Sequence, residues 1–282
     1  MNVLTSARRP LQHRIATITL AIVMIAGIQL LPAQSANKEA AEKYNEGRGF
    51  LKEKDYESAL STFIETKELA DAAGDKSTAA RAENYIYRLY YNVGVQHKRD
   101  GDLEAALGYF EDGISLKPTY YKNYKGRATI YQEKGDEAAA MEAFIQTAEV
   151  ASEAGELDER SKALKQAEGF VGKSMEAENY KKVVENGKVF LQFYQESATV
   201  NFYLSHAYNA LGDYQSALTH AGKALELDKG SRASKAKIHF ERGEAYRSIG
   251  QYQNAVQAYS EAAYGEFKQR SEHEMEMISG SN

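Results

Sequence analysis

Hydrophobic and polar positions along this chain follow the period of a helix. Ala79, Ala82, Ile86, Leu89 and Val93 fall three or four residues apart, on one face of a helix. Residues 202–228, FYLSHAYNALGDYQSALTHAGKALELD, read as two short helices joined at Leu211-Gly212-Asp213. Ala207, Ala217 and Ala224 are small where the helices would cross, and Tyr208, Tyr214 and Leu218 fill between them. Similar turns recur at Lys54-Asp55-Tyr56, Gly101-Asp102-Leu103, Gly135-Asp136-Glu137 and Gly250-Gln251-Tyr252. A glycine there can take positive φ at the end of one helix, and an aspartate can cap the next. The pattern predicts an all-α protein built by repeating one helix–turn–helix unit.

The central small residues set the register. Ala106 to Ala140 and Val183 to Ala217 are steps of 34 residues. Ala59 to Ala106, Ala140 to Val183 and Ala217 to Ala255 are longer, at 47, 43 and 38. Gly74-Asp75 followed by Ser77-Thr78, read as an N-cap, predicts that the first helix of the second unit is extended by about two turns. Gly155-Glu156-Leu157-Asp158 predicts the same before the fourth unit. After Gly265 the pattern thins to Phe267, Met275, Met277 and Ile278 among charges, so residues 270–282 are either a capping helix or a disordered tail.

These marks resemble the tetratricopeptide repeat, with its period near 34 residues, a Gly-x2-Tyr step in the first helix and an Ala-x3-Phe step in the second. The first unit carries Gly47, Phe50, Ala59 and Phe63; the second Gly94, Ala106, Phe110 and Pro118, with His97 for the aromatic. The third has Ala128, Tyr131, Ala140 and Phe144. In the fourth, the poorest match, Val171, Ser174, Val183 and Gly187 replace the pattern residues. The fifth has Ser205, Tyr208, Ala217 and Ala221, and the sixth Gly243, Tyr246, Ala255 and Tyr259. The resemblance implies an α-solenoid over residues 36–269: about six repeats near 40–73, 87–120, 121–154, 164–197, 198–231 and 236–269, wound into a right-handed superhelix with a concave groove.

The N-terminus changes the picture of where the protein works. Arg8, Arg9 and Arg14 precede an apolar run over residues 15–31, and Pro32 and Ala33-Gln34-Ser35 follow. This is the three-part pattern of a secretory signal and predicts cleavage after Ser35 and an exported protein of the periplasm or envelope. The alternative is an uncleaved anchor in the inner membrane, since the run is just long enough to span a bilayer. Without residues 1–35 the chain holds 32 basic and 40 acidic residues, an acidic balance that argues against nucleic-acid binding. No cysteine is present, which removes disulfides, thiolate metal sites and cysteine nucleophiles.

No phosphate-binding, nucleophile-elbow or dinucleotide motif is found, and no enzyme activity or cofactor is predicted. His273 among Glu272, Glu274 and Glu276 reads as a solvated face, and His206 with His220 lacks a third metal ligand. Tyrosine is abundant, at 20 residues. Those at the turns and helix crossings are structural by the repeat pattern; Tyr85, Tyr87, Tyr90, Tyr91, Tyr120, Tyr121 and Tyr124 exceed that need, and tyrosine is favoured at interfaces. In the family it resembles, the first helix of each pair lines the groove. That places Tyr44, Arg48, Tyr91, Asn92, Lys98, Arg99, Lys122 and Lys125 inward in the first three units, and Phe202, His206, Asn209, Phe240 and Arg247 in the last two. Some members clamp a C-terminal carboxylate with five polar residues. Asn92 and Lys122 match that set, whereas Tyr44, Arg48 and Gly126 depart from it. The resemblance implies a non-catalytic interaction scaffold whose basic, aromatic groove holds an acidic or C-terminal segment of a protein or peptide partner by charge-assisted hydrogen bonds. The alternatives are a self-assembling spacer that associates through its C-terminal repeat, and an accessory subunit of an envelope enzyme or secretion complex.

Overall fold

The computed structural model describes residues 33–280, and the apolar run over residues 15–31 lies outside the described residues. The described chain is helical: thirteen α-helices and one 3-10 turn, with no strand among the described residues. They are α1 (Ala33–Glu53), α2 (Tyr56–Ala72), α3 (Lys76–Arg99), α4 (Leu103–Leu116), α5 (Tyr121–Glu133), α6 (Glu137–Glu153), α7 (Leu157–Glu176), α8 (Tyr180–Phe193), α9 (Ala198–Leu211), α10 (Tyr214–Leu227), α11 (Arg232–Ser248), α12 (Tyr252–Ala262) and α13 (Lys268–Gly280). Among the described residues no helix is long and apolar enough to cross a membrane.

The turns follow from local chemistry. Asp55, Asp102, Asp136 and Asp213 each accept a hydrogen bond from the backbone N–H three residues on, at 3.0–3.1 Å, which satisfies one of the free donors at a helix start. Gly212 ends α9 with φ of +81°, a conformation that costs glycine little. A sixth turn of this kind joins α7 to α8, where Glu178 takes φ of +52° and Asn179 caps the next helix at 3.2 Å. The N-cap of α3 differs from the expected Ser77-Thr78. Asp75 accepts from both of their backbone N–H groups, at 3.1 and 3.0 Å, because α2 turns at Gly74 and brings the aspartate to the helix start. The predicted extensions are present: α3 has 24 residues and α7 has 20, against 13 in α5.

The contacts divide the chain within α3, between Ile86 and Tyr87. In the first unit Ala40, Ala70 and Ala79 pack together, and Phe63 stacks on Tyr85 at 4.5 Å with Tyr44 edge-on at 5.6 Å. The Phe63 ring occupies the space a side chain at Gly47 would need.

In the second unit each helix packs on the next. Further contacts skip one helix, from α6 to α8, α7 to α9 and α9 to α11, as stacking of helix pairs requires. One continuous core runs from Ala128 on α5 to Ala245 on α11. Glycines of the first helices admit rings of the second: a Cβ on Gly94 would lie 2.7 Å from Phe110, and one on Gly243 2.6 Å from Tyr259. The fourth unit uses the same device with other residues. Gly187 stands where the pattern has an aromatic, and Leu204 of the following helix fills the gap, 2.7 Å from where a Cβ would be. Residues after Gly265 form a 3-10 turn and α13, whose Ile278 and Met275, with Phe267, cover Phe240, Tyr259 and Ala262. Of the two readings of residues 270–282, the described part is a capping helix, and it covers the last helix pair that the self-assembly alternative would leave open.

Candidate functional site

Two clefts in the second unit collect most of the residues singled out from the sequence. The first, of about 450 Å3, lies between α3 and α5. Tyr91, Val95 and Lys98 fall on one face of α3 at spacings of four and three, with Arg99 beside them; Lys125, Gly126, Thr129 and Glu133 come from α5. Phe110 of α4 forms the floor, its ring inserted between Gly94 and Gly126 and 6.0 Å from the Tyr91 ring. Any side chain at Gly126 would run into Phe110. The position where an arginine belongs in the carboxylate clamp is therefore closed by the core itself.

The cations of this cleft are partly neutralised. Lys98 pairs with Glu133 and Lys125 with Glu159, each at 2.7 Å. Lys125 and Lys162 together hold the Glu159 carboxyl down at about 2. Tyr121 sits beside this group, and burial, then Glu159, pushes its phenol up; burial takes Tyr120 up to about 12. Arg99 is exposed and makes no ion pair among the described residues; Lys122, also exposed on α5, lies off the lining of the cleft.

The second cleft, of about 370 Å3, lies between α9 and α11 and is lined by Tyr180, His206, Asn209, Tyr214, Phe240, Glu241, Glu244 and Arg270 among others. Glu241 is 8% exposed and is the anchor of this site. Its two carboxylate oxygens accept from His206 Nδ1 and Asn209 Nδ2, both at 2.8 Å, and Asn209 also donates to the Glu241 backbone carbonyl. The bond to Glu241 raises the His206 pKa. Nearby, Glu244 accepts from the Tyr259 hydroxyl at 2.6 Å and pairs with Arg247, while burial pushes the Tyr259 phenol upward.

The remaining candidates fall elsewhere. Tyr44 and Arg48 belong to the first unit: Tyr44 is half-buried beneath the Arg81 guanidinium at 5.0 Å, and Arg48 is exposed. Asn92 is half-buried on α3, off the lining of the cleft. Phe202, expected to face a partner, is half-buried: it packs on Ala221, Ala224 and Ile238, with the Lys237 ammonium 4.4 Å from the centre of its ring. His206 and His220 do not meet, since His220 bonds Asn201 at 2.9 Å and stacks on Tyr208. The extra tyrosines are also engaged: Tyr87 meets Tyr120 at 4.9 Å, and Tyr90 meets Tyr109 at 6.4 Å. Among the described residues no three side chains gather as metal ligands.

The carboxylates Glu133, Glu159 and Glu241 were not among the predicted residues, although a signal for them exists. Each partners a groove residue one repeat period earlier, 34 residues for Lys125–Glu159 and 35 for His206–Glu241.

Stacked helix pairs, with a glycine facing a large side chain at several crossings, define a helical repeat protein. Residues 87–120, 198–230 and 236–264 match the tetratricopeptide repeat family, so the chain carries tetratricopeptide repeats over these three segments. It is similar to the photosystem I assembly protein Ycf3 of Rippkaea orientalis, 31% identical over 39% of this chain and 58% of that one. It is also similar to Ycf3 of Cyanophora paradoxa, 27% identical over 43% of this chain and 64% of that one. The chain thus spans less than two thirds of the length of these two relatives. A solved tetratricopeptide repeat protein from Parabacteroides merdae is 13% identical, with 86% of this chain and 99% of that one covered at a TM-score of 0.35. That superposition is too loose to carry an inference.

Proposed function

We propose that this chain is a non-catalytic adaptor, exported to the cell envelope, whose α3–α5 cleft holds an acidic segment of a protein partner. Tetratricopeptide repeat proteins bind protein or peptide partners and are generally non-catalytic scaffolds. The finer reading rests on one observation: an apolar floor of Tyr91, Val95 and Phe110 is rimmed by Lys98, Arg99 and Lys125, of which Arg99 makes no ion pair among the described residues. A carboxylate entering there exchanges water for charge-assisted bonds and can compete for the two paired lysines. Because Phe110 fills the space at Gly126, side-chain carboxylates of an internal segment fit this cleft better than a clamped chain end. Export is supported by the basic start and apolar run of residues 1–35.

The test is recovery of partners with the tagged full chain from envelope extracts, beside the double variant Arg99→Glu, Lys125→Glu. One acidic partner, lost from the double variant, is expected; retention of that partner contradicts the cleft assignment. Mass spectrometry of the same preparation reads its N-terminus. Ala36 supports a cleaved signal, and an intact Met1 in the membrane fraction supports the anchor.

A second reading is favoured by the relatives named for photosystem I assembly. An adaptor that holds one subunit while others join would use the same cleft. In that case the recovered partner is a subunit of a larger complex, and this chain migrates with its intermediates and not with the finished assembly.

A further inference from the structure

The cleft between α9 and α11 already holds a cation. Arg270, contributed by α13, places its guanidinium 4.4 Å from the centre of the Phe240 ring and 5.9 Å from Phe267. It lines the same cleft as His206, Asn209 and Glu241, yet makes no ion pair among the described residues. Among the described residues Glu241, more than nine-tenths buried, has an imidazole and an amide as its carboxylate partners, and the buried Asn209 carbonyl oxygen has no donor. While His206 is neutral, the site therefore carries a desolvated negative charge and an acceptor short of a donor. A buried carboxylate beside the face of an aromatic ring is complementary to a guanidinium, which stacks flat and donates in its own plane.

We propose that this cleft is a receptor for an arginine side chain of a partner, and that Arg270 of the chain's own last helix occupies it in the unliganded protein. The α13 segment then acts as a tethered competitor: a partner's arginine must displace Arg270 to stack on Phe240 near Glu241. The charge preference is opposite to that of the α3–α5 cleft, where the excess is cationic. The inference stands on different residues from the adaptor reading and survives its failure.

His206 reports on the site. The charged and titratable groups that face it are Glu241 of α11, Arg270 of α13, Tyr180 at the start of α8 and Glu178 just before it. Glu241 and Glu178 raise its pKa and Arg270 lowers it. The experiment follows the His206 imidazole by NMR through a pH titration of the full chain, with N-acetyl-arginine amide as the probe. Removing the resident cation in Arg270→Ala should raise the His206 midpoint, because a neighbouring positive charge no longer opposes the imidazolium. Added probe should bring the midpoint back down in Arg270→Ala and leave wild type unchanged. N-acetyl-norleucine amide should do nothing in either, and Glu241→Gln should abolish the response. Arg270→Gln repeats the measurement with the side chain's length kept, so that lost packing of α13 is separated from lost charge. A midpoint that ignores both the loss of Arg270 and the probe, in variants whose helical circular dichroism is intact, overturns the proposal. So does an equal response to the arginine and norleucine probes.

Discussion

Gly126→Ala should destabilise this protein, although alanine is the better helix former. In α5 a Cβ at position 126 would collide with Cε1, Cδ1 and Cζ of Phe110. The ring has nowhere to go. It is fully buried among Ala106, Ile130 and Tyr91, and a Cβ on Gly94 would lie 2.7 Å from it. Forcing an extra carbon into such a core costs about 1–3 kcal/mol, while exchanging glycine for alanine inside a helix returns about 1 kcal/mol. The net expectation is a loss of up to about 2 kcal/mol. Gly108, on the exposed face of α4, supplies the control because a Cβ there meets nothing within 4 Å. Gly108→Ala should keep the propensity gain and stabilise by up to about 1 kcal/mol. Urea unfolding followed by circular dichroism measures both. The double variant Gly126→Ala, Phe110→Leu should cost less than the sum of the two single changes, because the smaller side chain relieves the clash and the added methyl fills part of the space the ring leaves. If Gly126→Ala matched Gly108→Ala in sign and size, the reasoning that a neighbouring unit's ring dictates this glycine would be wrong.

Three further predictions follow from local geometry and charge. Gln251 holds φ of −86° and ψ of 65°, close to the capping aspartates, but makes no side-chain cap; Gln251→Asp should raise stability by about 0.5–1 kcal/mol in urea unfolding, and no gain would mean the cap geometry is not met. Glu178→Gly should gain about 1 kcal/mol, since Glu178 sits at φ of +52°, where a Cβ is penalised, whereas Gly→Ala at Gly212 should lose stability. His206 has a pKa raised by Glu241, so its pairing stabilises fully below about pH 6.5 and is lost as pH rises through the folded-state value. Comparing wild type with His206→Gln across pH 5–9 isolates this contribution from His220 and His239, which burial shifts downward; an advantage of wild type that grew with pH would contradict the sign.

What the sequence made legible was what lies within one repeat. Gly47 with Phe63, Gly94 with Phe110 and Gly243 with Tyr259 are paired inside single units, at offsets the repeat pattern fixes. Gly126 and Gly187 were opaque because their partners, Phe110 and Leu204, belong to the neighbouring unit. The turn at Glu178-Asn179 was passed over because it lacks glycine, yet Asn179 caps α8 as the aspartates cap their helices. The same division governs the clefts. Cations and rings on the first helices could be named from their spacing, but Glu133, Glu159 and Glu241 answer to residues one unit back, and a face that looked basic is half neutralised. Phe202 shows the limit most plainly, since helical spacing gives the direction of a side chain and not what the next pair lays over it.

The central claim is that the α3–α5 cleft is where a partner binds. Its most direct test is crosslinking in living cells, with a photoreactive amino acid at Tyr91 in the cleft and, in a second strain, at Ser115, exposed on α4. The account predicts one dominant protein captured from position 91 and absent from position 115, its crosslinked peptide acidic. Equal capture from both positions, or products containing this chain alone, would contradict it.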